Sequence, residues 1–164
     1  MSGPRTRVGQ GVDAHPLVGG RPLVLGGLTV PFERGLAGHS DADVVAHAAC
    51  DAVLGAAGLD DLGTVFPADD ARWAGASSLD LCRQVAGRVA AGGWEVSNLA
   101  VTVLCDRPRL GDLVGKMAAN LADAFGLEPD QVRVSAKATE GLGFTGRGEG
   151  IAAQATATVA LPVS

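Results

Sequence analysis

Glycine is the residue that most constrains the fold of this chain, since it makes up 24 of the 164 residues. This is about twice the ~7 % share that glycine has in an average protein. The glycines follow no fixed period, which excludes a collagen-like triple helix. They lie among segments of clear apolar periodicity, and apolar residues make up 47 % of the chain, which excludes a disordered protein. We therefore expect one globular domain that buries a core without help from disulfides.

Strand and helix patterns are mixed along the chain and predict an α/β fold. Short β-branched segments predict strands, and the Gly26-Gly27 pair between two of them predicts a hairpin. Segments with helical spacing predict three helices. The mixed order indicates an α+β two-layer sandwich in a single domain over residues 1–164, with a mixed sheet and its helices on one face. The predicted strands are 6–14, 22–27, 28–32, 94–106, 131–138 and 151–161, the predicted helices are 43–58, 77–93 and 111–126, and the predicted loops include 35–43, 59–76 and 141–150.

Charge and composition exclude several classes of partner. The net charge of −5 argues against binding to a nucleic-acid backbone, and an aromatic content of 4 % without tyrosine disfavours stacking on single strands. The first residues show no apolar run of the signal-peptide type, and no window reaches the ~20 continuous apolar residues of a membrane span. Cys50, Cys82 and Cys105 form no CxxC pair, which indicates free thiols in a reducing compartment. We expect a cytoplasmic protein with neither a nucleic-acid nor a membrane partner.

All three histidines of the chain lie between residues 15 and 47. Asp13 and His15 are two residues apart on a predicted strand and therefore point to the same face. With His47 on the first helix they offer two imidazoles and one carboxylate, a set typical of catalytic metal sites with an open position. Asp43 or Asp51, each one helical turn from His47, is suited to orient its imidazole. The spacing is equally compatible with a surface turn around Asp13 and a buried histidine on the helix.

Three further segments carry groups that suit a phosphate ligand. His39 and Ser40 precede the first helix, where free amides and the helix dipole attract anions, although a helix cap by Ser40 or Asp41 explains all but His39. FTGRGEG at 144–150 combines glycines with an arginine but lacks the GxxxxGK[ST] pattern, and alone it is more typical of a turn. Residues 137–140 offer groups for a phosphate and a divalent cation, or form a solvated strand end.

Five segments taken together resemble a known family. They are GVDAH, GHSDADVVAH, LDDLGTVFP, VTVLCDRPRL and FTGRGEGIA, in this order. Their order and approximate spacing resemble the 2-C-methyl-D-erythritol 2,4-cyclodiphosphate synthase family, whose enzymes close a ring in the non-mevalonate isoprenoid pathway. The resemblance extends from about residue 7 to residue 161, nearly the whole chain.

The resemblance implies a reaction and an assembly. It implies a homotrimer of single α/β domains with an active site at each junction of two subunits. The implied substrate is 4-diphosphocytidyl-2-C-methyl-D-erythritol 2-phosphate, whose 2-phosphate attacks the β-phosphorus so that the ring closes and CMP leaves. This is an intramolecular phosphoryl transfer, formally a lyase step. Because the nucleophile is already an anionic phosphate, the protein has to supply alignment and charge neutralisation.

The resemblance also implies two metal sites. It implies that Asp13, His15 and His47 hold zinc or another divalent transition metal. It implies that Glu140 is a protein ligand of magnesium or manganese bound with the diphosphate.

The same resemblance implies catalytic and substrate-binding residues. His39 is implied as a catalytic residue beside the phosphates, and Thr139 as a second one at the end of a strand. Residues 61–66 are implied to bind the methylerythritol and ribose side, and residues 105–111 to read cytosine largely through backbone groups. The residues implied in substrate binding are Asp13, His15, His39, Ser40, Asp61, Gly63, Phe66, Asp69, Cys105, Arg109, Leu110, Gly111, Lys137, Thr139, Glu140, Phe144 and Arg147.

Three positions depart from the family pattern. Ala68 stands where an acid commonly follows the Phe-Pro of the loop, and Asp69 is the next acid along the chain. Ala138 stands where the first of two consecutive threonines is usual, which leaves Thr139 beside it. Val12 replaces a frequent phenylalanine. None of these positions belongs to the metal set.

Two other function classes are compatible with part of this pattern. Two histidines and one carboxylate also describe a non-haem iron oxygenase, but such sites usually lie on a double-stranded barrel, which the helix-rich pattern disfavours. A trimeric binding module without chemistry is favoured by Ala68 and Ala138 and disfavoured by the complete metal set.

Overall fold

Strands and helices alternate along the computed structural model, which describes residues 5–162. The ends of the predicted domain, residues 1–4 and 163–164, lie outside the described residues. The strands are β1 (Thr6–Val18), β2 (Leu23–Leu25), β3 (Leu28–Val30), β4 (Gly35–Leu36), β5 (Glu95–Leu104), β6 (Val132–Lys137) and β7 (Gly150–Ala160). The helices are α1 (Val44–Ala57), α2 (Leu62–Val65), α3 (Ser78–Ala91), α4 (Leu113–Phe125) and α5 (Gly143–Gly146), with 3-10 turns at Ala71–Trp73 and Pro129–Gln131.

Five of the strands form the main sheet, in the order β4-β1-β7-β5-β6, and β2 and β3 form the predicted hairpin. The β5–β6 pair is parallel and the other neighbours are antiparallel, so the predicted mixed sheet is confirmed. β1 pairs with β7 along most of its length, from Thr6 opposite Ala160 to Pro16 opposite Gly150.

The helices α1, α3 and α4 pack on one face of this sheet, as the sequence predicted. Gly9 and Gly11 of β1 allow α1 to approach closely, because a Cβ atom on either would lie 2.1 Å from a carbonyl oxygen of α1, that of Ala52 or of Ala48. Side chains alternate between the faces of a strand, so Asp13 points to the same side as these glycines. The close contact of β1 and α1 therefore brings Asp13 beneath the helix.

The opposite face of the sheet is open. Val8 is 64 % and Val12 68 % exposed on this face, and Gln154, the β7 partner of Val12, is exposed beside it. The core lies on the helix side, where Leu99 and Val103 of β5 are fully buried. The sheet thus has one buried face and one face with large apolar side chains in contact with solvent.

The first helix begins after Asp43, so the prediction that Ser40 or Asp41 caps it is wrong. The buried carboxylate of Asp43 accepts hydrogen bonds from four backbone N–H groups, two in the first turn of α1 and those of Gly26 and Gly27 in the β2–β3 turn. Burial raises the pKa of the Asp43 carboxyl, although these amides act in the opposite direction. The contact with a distant hairpin fixes Asp43, instead of Ser40 or Asp41, as the cap of α1.

The other differences from the sequence prediction lie in its loops. β1 continues past its predicted end at residue 14, because its last residues pair with β4 and β7. The predicted loops contain the two short helices α2 and α5 and one of the 3-10 turns. Elements this short carry no apolar period that a sequence could display. Within residues 5–162, no helix combines the length and the apolar character needed to span a bilayer.

Candidate metal centre and adjoining cavities

Asp13, His15 and His47 converge at one point of the structure. Asp13 and His15 lie on β1, and His47 lies on α1 above them. Asp13 Oδ2 is 3.0 Å from His15 Nε2 and 3.0 Å from His47 Nδ1. One donor atom from each of the three residues lies within 4.8 Å of the other two. The spacing that the sequence displayed therefore brings together two imidazoles and one carboxylate.

The hydrogen bonds of His15 show that this cluster suits a cation. His15 Nδ1 is 2.8 Å from the carbonyl oxygen of Ala37, and because a carbonyl only accepts, Nδ1 carries the proton. In the neutral imidazole, Nε2 then presents a lone pair to the carboxylate of Asp13, which is a second acceptor. Two acceptors at this distance need a proton or a metal ion between them. The donor set matches that of catalytic zinc sites, so the residues fit zinc or another divalent transition metal.

The charges of the cluster shift the pKa values of its members. Burial disfavours ionisation of Asp13, but hydrogen bonds and charge from His15 and His47 outweigh it and lower its pKa to about 2. The hydrogen bond to Asp13 raises the pKa of His15, more than burial lowers it. A metal ion therefore competes with a proton that the cluster holds more firmly than a free histidine would.

The cluster opens into a first cavity of about 280 Å³. His39 and Ser40, from the loop before α1, lie in its wall, as do Gly63 and Phe66 from the segment after α1. Phe66 packs edge-on against Trp73, with 4.8 Å between ring centroids. These four predicted residues therefore lie around the cluster formed by Asp13, His15 and His47.

Two other residues predicted for this region do not line the first cavity. Asp61 caps α2, where its carboxylate accepts the N–H of Thr64 at 2.8 Å, and this contact lowers the pKa of Asp61. Asp69 is exposed, while its neighbour Ala68 lies in the cavity wall. The wall therefore has a methyl group where the family pattern has an acid. Substrate contacts of Asp61 and Asp69 stay predictions.

A second cavity, of about 430 Å³, lies beyond the ends of β5 and β6. Burial raises the pKa of the Cys105 thiol in its wall to about 11, so this thiol is neutral at physiological pH. Ala138, one of the departures from the family pattern, is also in the wall. The predicted site residues that line this cavity are Cys105, Arg109, Leu110, Gly111 and Glu140.

The strands β7 and β5 lie between the two cavities within one chain. Asp13 pairs with Ala153, Ala153 with Val103, and Val103 with Ala136, so all four lie at the same height in the sheet. At the usual strand spacing, β1 and β6 are about 14 Å apart. Ala153 and Val103 between them are buried. Glu140 accordingly lies with the second cavity and outside the Asp13 cluster.

The hydroxyl of Thr139 is held inside its own loop. Its Oγ1 is 3.1 Å from a carboxylate oxygen of Asp106, 3.0 Å from the carbonyl oxygen of Leu142 and 2.8 Å from the hydroxyl of Thr145. Lys137 is exposed at the end of β6. Neither Thr139 nor Lys137 is among the residues that line the second cavity. Their roles in catalysis and substrate binding stay predictions.

Phe144 and Arg147 are not among the residues that line these two cavities. Phe144, in α5, is 42 % exposed. Arg147 donates from Nε to a carboxylate oxygen of Glu149 at 2.7 Å and lines a further concavity that also contains Arg34 and Arg107. Within one chain, the structure does not bring Phe144 or Arg147 to the metal cluster.

The residue that contacts the far side of His47 could not be found from local sequence patterns. The prediction that Asp43 or Asp51 orients this imidazole is wrong, since Asp43 faces backbone amides and Asp51 accepts the N–H of Leu62 at 2.8 Å. Instead, His47 Nε2 is 2.8 Å from Ser78 Oγ, across a sequence separation of 31 residues. No local spacing reveals such a contact.

The chain is similar in sequence and in structure to proteins of one family. The chain matches the YgbB family over residues 6–160. The 2-C-methyl-D-erythritol 2,4-cyclodiphosphate synthase of Symbiobacterium thermophilum is 52 % identical over 153 residues, which cover 93 % of this chain and 98 % of that protein. The enzyme of the same name from Rubrobacter xylanophilus is 56 % identical over 152 residues, 91 % of this chain and 92 % of that protein. A solved 2C-methyl-D-erythritol-2,4-cyclodiphosphate synthase in a CDP-bound form has a TM-score of 0.85 at 35 % identity, covering 93 % of this chain and 99 % of its own.

Proposed function

The chain belongs to the YgbB family, and we propose that its two cavities, joined across a subunit boundary, close the ring of 2-C-methyl-D-erythritol 2,4-cyclodiphosphate. It is an enzyme of the non-mevalonate isoprenoid pathway, a phosphorus–oxygen lyase like the relatives described above. Its substrate is 4-diphosphocytidyl-2-C-methyl-D-erythritol 2-phosphate, and its second product is CMP. The observation that supports this site most strongly is the convergence of Asp13, His15 and His47 beside a cavity.

The reaction needs positioning more than it needs a reactive side chain. An oxygen of the 2-phosphate attacks the β-phosphorus and forms a new P–O bond. The bond between the β-phosphorus and the oxygen bridging to the α-phosphorus breaks, and CMP leaves with that electron pair. The attacking oxygen is already anionic, so no base has to remove a proton from it. The protein has to align the two phosphates in line and reduce their repulsion.

Asp13, His15 and His47 are the residues that would hold zinc or another divalent transition metal. Such an ion, when bound, supplies positive charge for the oxygens of the diphosphate. The protein contributes a fixed orientation of the donors, as the bond from His15 Nδ1 to the Ala37 carbonyl illustrates. Two nitrogen donors favour zinc over magnesium at this position.

Glu140 would hold magnesium or manganese together with the diphosphate. Its exposed carboxylate offers oxygen ligands, which hard cations prefer. Its backbone has a φ of 55°, a conformation that residues other than glycine rarely adopt. The loop therefore keeps this glutamate at the wall of the second cavity at some cost in backbone strain.

His39 and Ser40 are suited to contact the phosphates in the first cavity. Arg21 donates to the carbonyl oxygens of Gly38 at 2.8 Å and Ser40 at 2.9 Å, which fixes the loop that carries both residues. His39 is exposed and free to approach a ligand as a catalytic donor to the developing charge. Donors held in place before the substrate arrives lose little entropy when it binds.

The second cavity is suited to the cytidine part of the substrate. Residues 105–111 lie in the loop between β5 and α4, and backbone N–H and C=O groups of a loop are suited to a base edge. Cys105 and Leu110 supply buried apolar surface, and Arg109 supplies a positive charge at the rim. On the other side, Gly63 and Phe66 offer a partly apolar wall for the methylerythritol.

The active enzyme is a homotrimer in which each active site combines the two cavities of adjacent subunits. Within one chain β1 and β6, beside which the two cavities lie, are about 14 Å apart with β7 and β5 between them, so one chain does not bring the cavities face to face. The open sheet face exposes the apolar side chains of Val8 and Val12, which further copies of the chain can bury. Trimer formation would therefore bury Val8 and Val12 and bring together the two cavities of adjacent subunits.

We also propose a cytoplasmic location for the enzyme. Cys50, Cys82 and Cys105 are all free thiols. Free buried thiols of this kind are typical of a reducing compartment.

Phosphorus NMR tests this function directly. The purified protein is incubated with the substrate and magnesium, beside a sample without enzyme and a sample treated with EDTA. We expect CMP and a cyclic diphosphate signal, both lost after chelation. Unchanged substrate in the presence of bound metal would contradict the proposal and favour a binding module, with Ala68 and Ala138 as the first residues to restore to the family pattern. Activity that depends on oxygen would favour the iron oxygenase class.

A further inference from the structure

We propose that Ser78 and Asp41 are positioning residues of the metal centre, which hold the imidazole of His47 with its Nδ1 lone pair toward the metal position. This inference rests on the metal site of the proposed function. It adds two residues, on the loop before α1 and the first turn of α3, that no spacing in the sequence identified.

Three contacts link Asp41, Ser78, His47 and Asp13 in series. Ser78 is fully buried, and its Oγ contacts both a carboxylate oxygen of Asp41 and, at 2.8 Å, the Nε2 of His47. On the other side of the ring, His47 Nδ1 is 3.0 Å from Asp13 Oδ2. The imidazole is thus held from both of its nitrogens.

The donor and acceptor roles in these three contacts follow from the groups that make them. An ionised carboxylate only accepts, so the single proton of the Ser78 hydroxyl is donated to Asp41. The hydroxyl oxygen is then free to accept, and the group that faces it is His47 Nε2–H. With its proton on Nε2, the neutral imidazole has its lone pair on Nδ1, the atom that faces Asp13. The contacts with Ser78 and Asp41 therefore select the tautomer of His47 that a metal ion requires.

A second hydroxyl lies near the same nitrogen without replacing Ser78. Ser40 Oγ is 3.2 Å from His47 Nε2 and already accepts the N–H of Ala42 at 3.3 Å. Ser40 also lines the first cavity, where a substrate phosphate competes for its hydroxyl. Ser78 is buried away from such competition, so it is the constant partner of His47.

Asp41 is itself held in place by several donors. Its carboxylate accepts the N–H of Ser78 at 2.9 Å and that of Asp43 at 3.2 Å. Its own N–H donates to the carbonyl oxygen of Ala76 at 3.4 Å, which links the loops before α1 and α3. The side chain of Ser77, the residue before α3, makes no capping hydrogen bond. Asp41 therefore caps α3 through the backbone of Ser78, and this role does not require the Ser78 hydroxyl.

Because these two roles are separate, one variant can remove the hydrogen bond between Ser78 and His47 and keep the cap of α3. Ser78→Ala retains the backbone N–H that Asp41 accepts and removes only the hydroxyl that faces His47. Ser77→Ala is the matched control, since it makes the same change one residue earlier at an exposed position. Asp41→Asn is a second variant. Its amide oxygen can still accept the Ser78 N–H, and its amide N–H₂ then faces Ser78 Oγ and turns that hydroxyl toward His47 as a donor.

The test measures zinc affinity of the full-length variants by competition with a chromophoric chelator. We expect Ser78→Ala and Asp41→Asn to bind zinc about 10- to 100-fold more weakly than the wild type, and Ser77→Ala to bind it equally well. Cobalt(II) substitution gives a second readout, because a changed His47 orientation shifts the visible spectrum of the bound ion. The thermal midpoint of metal-free Ser78→Ala should fall by only about 2–4 °C.

The outcomes separate this inference from the proposed function. Equal zinc affinity and equal cobalt spectra in Ser78→Ala and Ser77→Ala would overturn the positioning role and leave the metal site intact. A wild-type protein that binds neither zinc nor cobalt at a 1:1 ratio would overturn the metal site and the positioning role together. Weak binding in Asp41→Asn alone, with normal binding in Ser78→Ala, would also overturn the role of the hydroxyl.

Discussion

A Cβ atom on Gly11 would lie 2.1 Å from the carbonyl oxygen of Ala48. The backbones of β1 and α1 therefore touch at this point. Gly11 comes two residues before Asp13, and Ala48 comes directly after His47. The distance between these two proposed metal ligands consequently depends on a contact that only glycine permits.

Replacing Gly11 by alanine will push α1 away from β1. We expect the free energy of unfolding to fall by about 1–3 kcal/mol, as for other overpacked cores, and zinc to bind at least about tenfold more weakly. Urea unfolding and zinc titration measure the two effects. Gly87→Ala is the control, since an added Cβ there has no neighbour within 4 Å. It should gain about 0.5–1 kcal/mol. Two variants of equal stability would contradict this account.

Replacing Asp43 by alanine will cost more than the loss of an ordinary helix cap. The four backbone N–H groups that its carboxylate accepts belong to α1 and to the β2–β3 turn, and all would lose their partner in a buried place. We expect the free energy of unfolding to fall by about 2–4 kcal/mol in urea unfolding. Asp60→Ala, at an exposed position, should change it by less than about 0.5 kcal/mol. A loss near the ~1 kcal/mol of a simple cap would refute the link to the hairpin.

Zinc binding will release protons near neutral pH. Asp13 raises the pKa of His15 above 6.5, so a larger fraction of His15 is protonated at pH 7 than of a free histidine, and the metal has to displace that proton. Proton release should fall to zero as the pH rises through the raised value. Asp13, with a pKa of about 2, adds no pH dependence in this range. Calorimetry in buffers of different protonation enthalpy measures the release. An affinity that is the same at about pH 6 and about pH 8 would contradict this coupling.

Zinc affinity should rise with pH near neutrality, whereas the stability of the metal-free protein should fall over the same range. A raised pKa in the folded state means that His15 contributes stability below the unfolded value of 6.5, and that this contribution is lost as the pH rises through the folded value. The lowered pKa of Asp13 contributes stability above 3.8 that is lost as the pH falls toward 2. We therefore expect the metal-free protein to lose stability on both sides of a window between about pH 4 and 6.5. His15→Gln, measured by thermal unfolding, should remove the loss on the alkaline side.

A charge on the open sheet face will prevent assembly. Val8 is 64 % exposed in the single chain, and Val8→Asp would bury a carboxylate in the trimer. Light scattering should give the mass of three chains for the wild type and of one chain for this variant. The variant should still bind zinc, because its own metal cluster is complete, and should release no CMP. Ala90→Asp, on the exposed side of α3, is the control and should stay trimeric. A wild type with the mass of one chain would refute the shared active site.

Features that depend on residues close together in the sequence could be predicted from local patterns. The period-2 spacing of Asp13 and His15 and the helical position of His47 offered a metal site as one of two interpretations, and the structure brings the three side chains together. The two glycines between β2 and β3 predicted the hairpin, because a two-residue turn of this type requires positive φ at both positions, and Gly26 and Gly27 have φ of 57° and 71°.

Contacts between distant segments could not be predicted in this way. Ser40, Asp41 and Asp43 are all good cap residues, and only the approach of the β2–β3 turn decides for Asp43. Ser78 lies at the start of the predicted helix 77–93, and its contact with His47 exists because α3 packs beside α1. Such contacts depend on the tertiary arrangement, which a single sequence does not display.

A subunit-mixing experiment tests most directly whether one active site combines the metal cluster of one chain with the second cavity of another. His47→Ala damages the first of these, and Glu140→Gln damages the second. Each variant alone should release little CMP, and each still carries the half that the other lacks. After the two are refolded together, and native mass spectrometry confirms mixed trimers, random assembly makes about a quarter of the sites complete. We predict CMP release at about that fraction of the wild-type rate. Mixed trimers that are as inactive as the separate variants would contradict the shared site.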